Sequence, residues 1–177
     1  MALATKGRFG FLRPLDWVLV VFLASHVPVT LFFDAQIVLP RSWFPPMLQD
    51  LVVHYLSWFN DPLVGAPAVW FRSLVWCELL FQLPFFIWGT YAMLFRRVGF
   101  RLPALAYAVH VLTTMVPILV ALITVQDGPW GPITPGQRLF LVLLYLPYAL
   151  LPALLGARAL SFPSPLPPPT PKTRKHR

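Results

Sequence analysis

Charge is scarce in this chain: 11% of its 177 residues are charged, and only six of them are acidic. Ordinary soluble domains carry about 25% charged residues, so this composition excludes a water-soluble domain. Cysteine is nearly absent. The single Cys77 excludes an internal disulfide, and sitting within an apolar run it reads as a small packing residue. No Cys/His spacing suits zinc, so neither metal nor cofactor is expected. The two halves show no inverted repeat, which argues against a secondary transporter. The shortage of acids leaves a net charge of +8 and an isoelectric point near 10.4. In a soluble chain that balance would point to nucleic acid. Here the basic residues flank apolar runs and form no surface of their own, so no nucleic-acid partner is expected.

What is present is apolar length. The chain is 58% hydrophobic, with a mean hydropathy of +0.69. Runs over about residues 15–33, 70–95, 103–125 and 139–160 each reach the roughly 20 residues that a helix needs to cross a bilayer. The expected fold is an all-α membrane protein: a four-helix transmembrane bundle over 15–160, after a cytoplasmic N-terminus over 1–14. The first run follows Lys6, Arg8 and Arg13, as a signal peptide would. It continues to Phe33 without a small-x-small cleavage site, so it reads as a retained helix.

Four spans put both termini and the loop near residue 97 on one side. That side carries Lys6, Arg8, Arg13, Arg96, Arg97, Arg101, Arg158, Lys172, Arg174, Lys175 and Arg177, against Arg41, Arg72 and Arg138 on the other. Eleven against three places both termini in the cytoplasm. In the first lumenal loop, "PPMLQDLVVHYLSWF" sets Leu48, Leu51, Val52, Tyr55 and Phe59 at helical spacing after Pro45 and Pro46. It predicts a short amphipathic helix that lies on the membrane face or caps the bundle. The tail over 161–177 is proline-rich and then basic, and reads as disordered. Its final "RKHR" resembles a dibasic retrieval signal and equally a membrane-surface basic patch.

Polar residues interrupt the spans. A carboxylate at mid-bilayer costs at least about 2.5 kcal/mol, so Glu78 within "WCELLFQLPFF" demands a reason. Gln82 sits one turn deeper on the same face. His26, Thr30 and Asp34 recur at four-residue intervals in the first span; His110, Thr113 and Thr114 mark the third, and Tyr145 and Tyr148 the fourth. Turned inward, these faces make a polar-spotted cavity. Pro28, Pro84, Pro117, Pro147 and Pro152 favour kinks that loosen packing. Plainer roles exist. The threonines can bond to their own helix, the histidines can donate between helices, the tyrosines can fill the core, and Asp16 and Asp61 can cap or turn.

The segments "SHVPVTLFFDAQIVLP", "WFNDPLV", "WFRSLVWCELLFQLPFF", "YAVHVLTTMVPIL" and "YLPYALLP" cover most of residues 17–155. In order and spacing they resemble the EXPERA-domain family, on its sigma-2-type receptor branch. The family also includes the emopamil-binding sterol isomerase. Its members are membrane proteins of four or five helices with a lipophilic pocket. The resemblance implies that Asp34 pairs with the ammonium of cationic amphiphilic ligands, supported by Asp61 from the first loop. It implies that Glu78 and Gln82 line the pocket, with Thr114 and Tyr148 on facing helices and His26 beside them. It further implies binding of sterol or other lipid and a role in cholesterol and lipid homeostasis without catalysis. A cholesterol-transport protein and a homodimer are implied as partners. The implied location is the endoplasmic reticulum membrane, with the nuclear envelope and endolysosomal membranes as further places. A sterol isomerase-type enzyme, working through the buried carboxylates, stays open as the alternative.

Overall fold

Lipid supplies no hydrogen bonds, so each span must satisfy its backbone internally, and four apolar runs of this length have to become helices. The computed structural model describes residues 13–162; the segment before residue 13 and most of the proline-rich basic tail lie outside the described residues. Four helical stretches are long and apolar enough to cross a membrane: Pro14–Ile37, Val69–Leu94, Arg101–Thr124 and Pro135–Ala159. The first contains α1 (Pro14–Phe32) and a short 3-10 turn, Asp34–Ile37. Outside the spans come α2 (Pro46–Phe59), the single turn α3 (Pro62–Gly65) and a small hairpin, β1 (Asp127–Gly128) with β2 (Gly131–Pro132). The expected four-span fold with one extra helix in the first loop is the one observed.

Proline divides two of the spans. The second runs as α4 (Val69–Cys77), a π-helical turn over Glu78–Gln82, and α5 (Leu83–Leu94). Pro84 has no N–H and its ring crowds the carbonyl four residues back; a widened turn relieves the clash, with the Leu83 N–H bonding to the Glu78 carbonyl. The fourth splits into α7 (Pro135–Tyr145) and α8 (Pro147–Ala159), because Pro147 cannot bond to the preceding turn. The third, α6 (Arg101–Thr124), is continuous despite Pro117.

The helices pack as two pairs, α1 on α5 and α6 on α8, and the pairs touch one another much less. Gly156 sets the α6–α8 approach: a Cβ there would lie 2.9 Å from the Ala108 Cβ. Outward-facing Val109, Val116, Ile123 and Leu143 are more than half exposed, an arrangement suited to lipid and costly in water. At the end of the bundle that holds the termini, Asp16 is fully buried. It accepts from Arg158 at 2.6 and 3.0 Å and from Arg96 at 3.4 Å. It also takes the Arg13 backbone N–H at 3.1 Å, so the capping role is joined by a buried ion pair that the linear pattern did not reveal.

At the opposite end α2 folds over the bundle. Phe59 stacks on Phe140 of α7 with centroids 4.2 Å apart. Asn60, left-handed at φ 52°, ends α2, donates to the Gly131 carbonyl at 3.0 Å and accepts from the Trp130 N–H at 2.9 Å. Arg138 closes the end of α6 by donating to the carbonyls of Leu122, Ile123 and Val125 at 2.7 to 2.9 Å.

Gly156→Leu should separate α6 from α8 and cost about 1–3 kcal/mol, the usual range for overpacking. Gly99→Ala, with open space around it, serves as the neutral control. Thermal unfolding of both in detergent checks the difference.

Candidate functional site: an intramembrane cavity

Where the two helix pairs part, they enclose a cavity of about 240 Å³. Its wall is mainly apolar, from residues such as Val29, Phe71, Val75, Val111 and Ile118, and Tyr55 of α2 reaches it from outside the spans. Polar groups gather at two places within it.

The first is a pair of carboxyls. Asp34 begins the turn after α1, Glu78 begins the π-helical turn, and both line the cavity. Thr30, fully buried and one helical turn before Asp34, donates its hydroxyl to Glu78 Oε1 at 2.6 Å. Through Thr30, α1 holds the Glu78 carboxyl. The π-helical turn sets Glu78 at its first residue and Gln82 at its last, and both line the cavity.

The second is the set His26, Gln82, Thr114 and Tyr148, all in the cavity wall, where His26 and Tyr148 meet ring to ring. His26 Nδ1 lies 2.5 Å from the Phe22 carbonyl of its own helix. That contact assigns the proton to Nδ1 and leaves Nε2, buried and without a partner among the described residues, as an acceptor. The ring packs against Tyr148 and Phe86 at 4.9 and 5.3 Å. Thr114 turns its hydroxyl to the Val111 carbonyl at 2.9 Å, and Thr113 does the same with Val109 at 2.8 Å. Neither histidine bonds between helices as the sequence suggested: His26 bonds within α1, and His110 Nε2 has no partner among the described residues. From His26 to Asp34 is eight residues of helix, about 12 Å along the axis.

Asp61 stands behind the cavity and is not among the residues of its wall. One carboxylate oxygen caps α3, accepting the Leu63 and Val64 N–H groups at 2.8 and 3.3 Å. The other accepts the hydroxyls of Tyr55 at 2.6 Å and Tyr145 at 2.9 Å. Burial, and then the charge of Asp61, hold the Tyr55 hydroxyl well above the usual tyrosine range, so it stays a donor. Asp61 reaches the cavity through two tyrosines. Those tyrosines were not singled out as site residues. Tyr145 marks the inward polar face of the fourth span beside Tyr148, with core filling as its plainer role, and the pattern of α2 does not say which of its faces meets the bundle.

Tyr55→Phe and Tyr145→Phe should each cost about 1.5–3 kcal/mol, as hydrogen bonds to a charged group do. In an Asp61→Ala background either change should add little, and a double-mutant cycle of thermal unfolding measures that coupling.

Comparison with known proteins shows what the chain is similar to. The family model described as EBP, EXPERA (EXPanded EBP superfamily), matches residues 47–159. The chain is 43% identical over 150 residues to Sigma intracellular receptor 2 of Homo sapiens, covering 81% of this chain and 85% of the relative. It is 40% identical over 149 residues to Sigma intracellular receptor 2 of Xenopus tropicalis, covering 81% and 86%. A more distant relative is Efficient mitochondria targeting-associated protein 19 of Schizosaccharomyces pombe, 34% identical over 105 residues and 56% of each chain.

Proposed function

The chain belongs to the EXPERA family, and on that premise we propose that it is a sigma-2-receptor-like membrane protein whose cavity binds sterol-like lipids and cationic amphiphiles. The observation that carries this reading is the placement of two carboxyls, Asp34 and Glu78, in the mainly apolar wall of one cavity. Two carboxyls set in one mainly apolar wall repel as like charges, so the pair can share one proton and present one negative charge and one donor. An ammonium group meets that charge at a low effective dielectric, where the attraction is several times its strength in water. Tyr55 and Tyr145 add aromatic faces beside it, suited to cation–π contact. About two helical turns away, His26 Nε2 offers a neutral acceptor for a hydroxyl, which suits a sterol-like molecule with an apolar body.

In this reading the protein regulates cholesterol and lipid handling by occupancy of the cavity and not by turnover. A cholesterol-transport protein is its membrane partner, and a homodimer is its assembly. The excess of basic residues beside both termini supports placing the termini in the cytoplasm. The intracellular naming of the relatives supports an endoplasmic reticulum location. One observation keeps a second reading in view. Two carboxyls and an unpaired histidine nitrogen in one cavity are the groups a sterol isomerase-type enzyme needs to add and remove protons at two carbons.

Saturable binding of a radiolabelled cationic amphiphile to purified wild type, Asp34→Asn and Glu78→Gln separates these readings. Losing one partner of a buried charge pair costs about 2–5 kcal/mol, so Asp34→Asn should weaken binding by about 30-fold or more. Equal binding by a folded Asn variant would remove Asp34 from the site. Conversion of a sterol double bond that Glu78→Gln abolishes would favour the enzyme.

A further inference from the structure

At the end of the bundle remote from the carboxyl pair, two arginine side chains converge on one acid, and three further arginines lie on the adjoining segments. Asp16 is the only acidic residue of the sequence on that side; the other five fall in or beside the opposite half. Arg158 and Arg96 converge on its carboxylate, and the Arg13 backbone closes over the same group. Arg158 also lies over the Phe162 ring, 5.0 Å from its centroid, and Arg101 donates to the Phe162 carbonyl at 3.4 Å. Arg97 follows Arg96 and lies 5.0 Å from the Tyr91 ring centroid, donating to the Tyr91 hydroxyl. The cluster draws on α1, on the turn between α5 and α6, on the start of α6 and on the end of α8.

The backbone at Arg96 shows that the charge is held there at a cost. The Arg97 N–H bonds to the Ala92 carbonyl at 2.9 Å and the Arg96 N–H to the Met93 carbonyl at 3.3 Å. That is the paired closure in which a helix ends on a left-handed residue, ordinarily glycine. Arg96 occupies that position at φ 47°. Glycine adopts the conformation freely, whereas an arginine pays a steric penalty. The guanidinium it carries reaches the rim of the cluster.

One buried carboxylate cannot neutralise five guanidinium groups. The cluster keeps an excess of positive charge at the edge of the hydrocarbon layer, where phosphate oxygens are the available anions. Arginine forks match phosphate oxygens, and several forks in one place match several phosphates on one headgroup better than single phosphates spread over many lipids. We propose that the arginines at 13, 96, 97 and 101, beside the buried Asp16–Arg158 pair, form a binding site for a lipid with a multiply phosphorylated headgroup. Its acyl chains would lie along the outer faces of α5 and α6, where Phe95 and Leu102 are at least half exposed. The site lies away from the carboxyl cavity and does not depend on what that cavity binds.

The test uses the full chain in nanodiscs of phosphatidylcholine, with native mass spectrometry counting retained lipid. A phosphatidylinositol bisphosphate is compared with phosphatidylserine as a second anionic lipid. The bisphosphate lipid should be retained about tenfold or more above phosphatidylcholine and above the single-charge lipid, with the excess falling as salt rises. Arg97→Gln and Arg101→Gln should each reduce that retention about fivefold, at roughly one surface charge each. Arg96→Gly, which relieves the left-handed residue, should reduce it similarly while the chain stays folded. Arg72→Gln, exposed at the opposite end, should leave it unchanged. Retention no greater than that of phosphatidylserine would overturn the proposal, as would retention that survives all three cluster variants in folded protein.

Discussion

The hydrogen bond from Thr30 to Glu78 is the contact on which the middle of the bundle depends. A carboxyl inside a membrane has few ways to be satisfied, and α1 supplies one of them. This ties α1 to the π-helical turn of the second span. The turn itself follows from Pro84, which prevents a regular α-helix from continuing past Glu78 and Gln82. The widened turn carries both polar side chains into the cavity, so a backbone irregularity and a binding surface share one cause.

The bundle is held differently at its two ends. At the terminal end a buried ion pair between Asp16 and Arg158 joins α1 to α8, which belong to different helix pairs. At the other end Asp61 gathers α2, α3 and α7 through two tyrosines and a helix cap. Between these fixed ends the two pairs are free to stand apart, and the cavity occupies the gap. Breaking either end should widen the space between pairs; a polar residue lost within the cavity should alter what fits there and leave the ends joined.

Much of this was legible in the residues. Apolar run length gave the spans, and His26, Thr30 and Asp34 at four-residue spacing marked the inner face of α1. Glu78 and Gln82 marked that of the second span. All of these except the donor Thr30 appear in the cavity wall, together with Thr114 and Tyr148. What was not legible depended on meetings between distant residues. Asp61 follows α2 by two positions, yet its partners include Tyr145, 84 residues away, and no linear pattern announces that contact. The same is true of Asp16 and Arg158, separated by 142 residues. Proline positions predicted kinks, but only the fold shows that Pro84 yields a π-helical turn and Pro147 a break.

The carboxyl pair is best tested by infrared spectroscopy of the full chain at neutral pH, reading the stretching band of protonated carboxyl groups. One such band in the wild type, lost or displaced in both Asp34→Asn and Glu78→Gln and persisting when a cationic amphiphile binds, is the expected result. A wild-type spectrum without a protonated carboxyl, or a band that neither substitution moves, would contradict a pair that shares one proton and presents one charge.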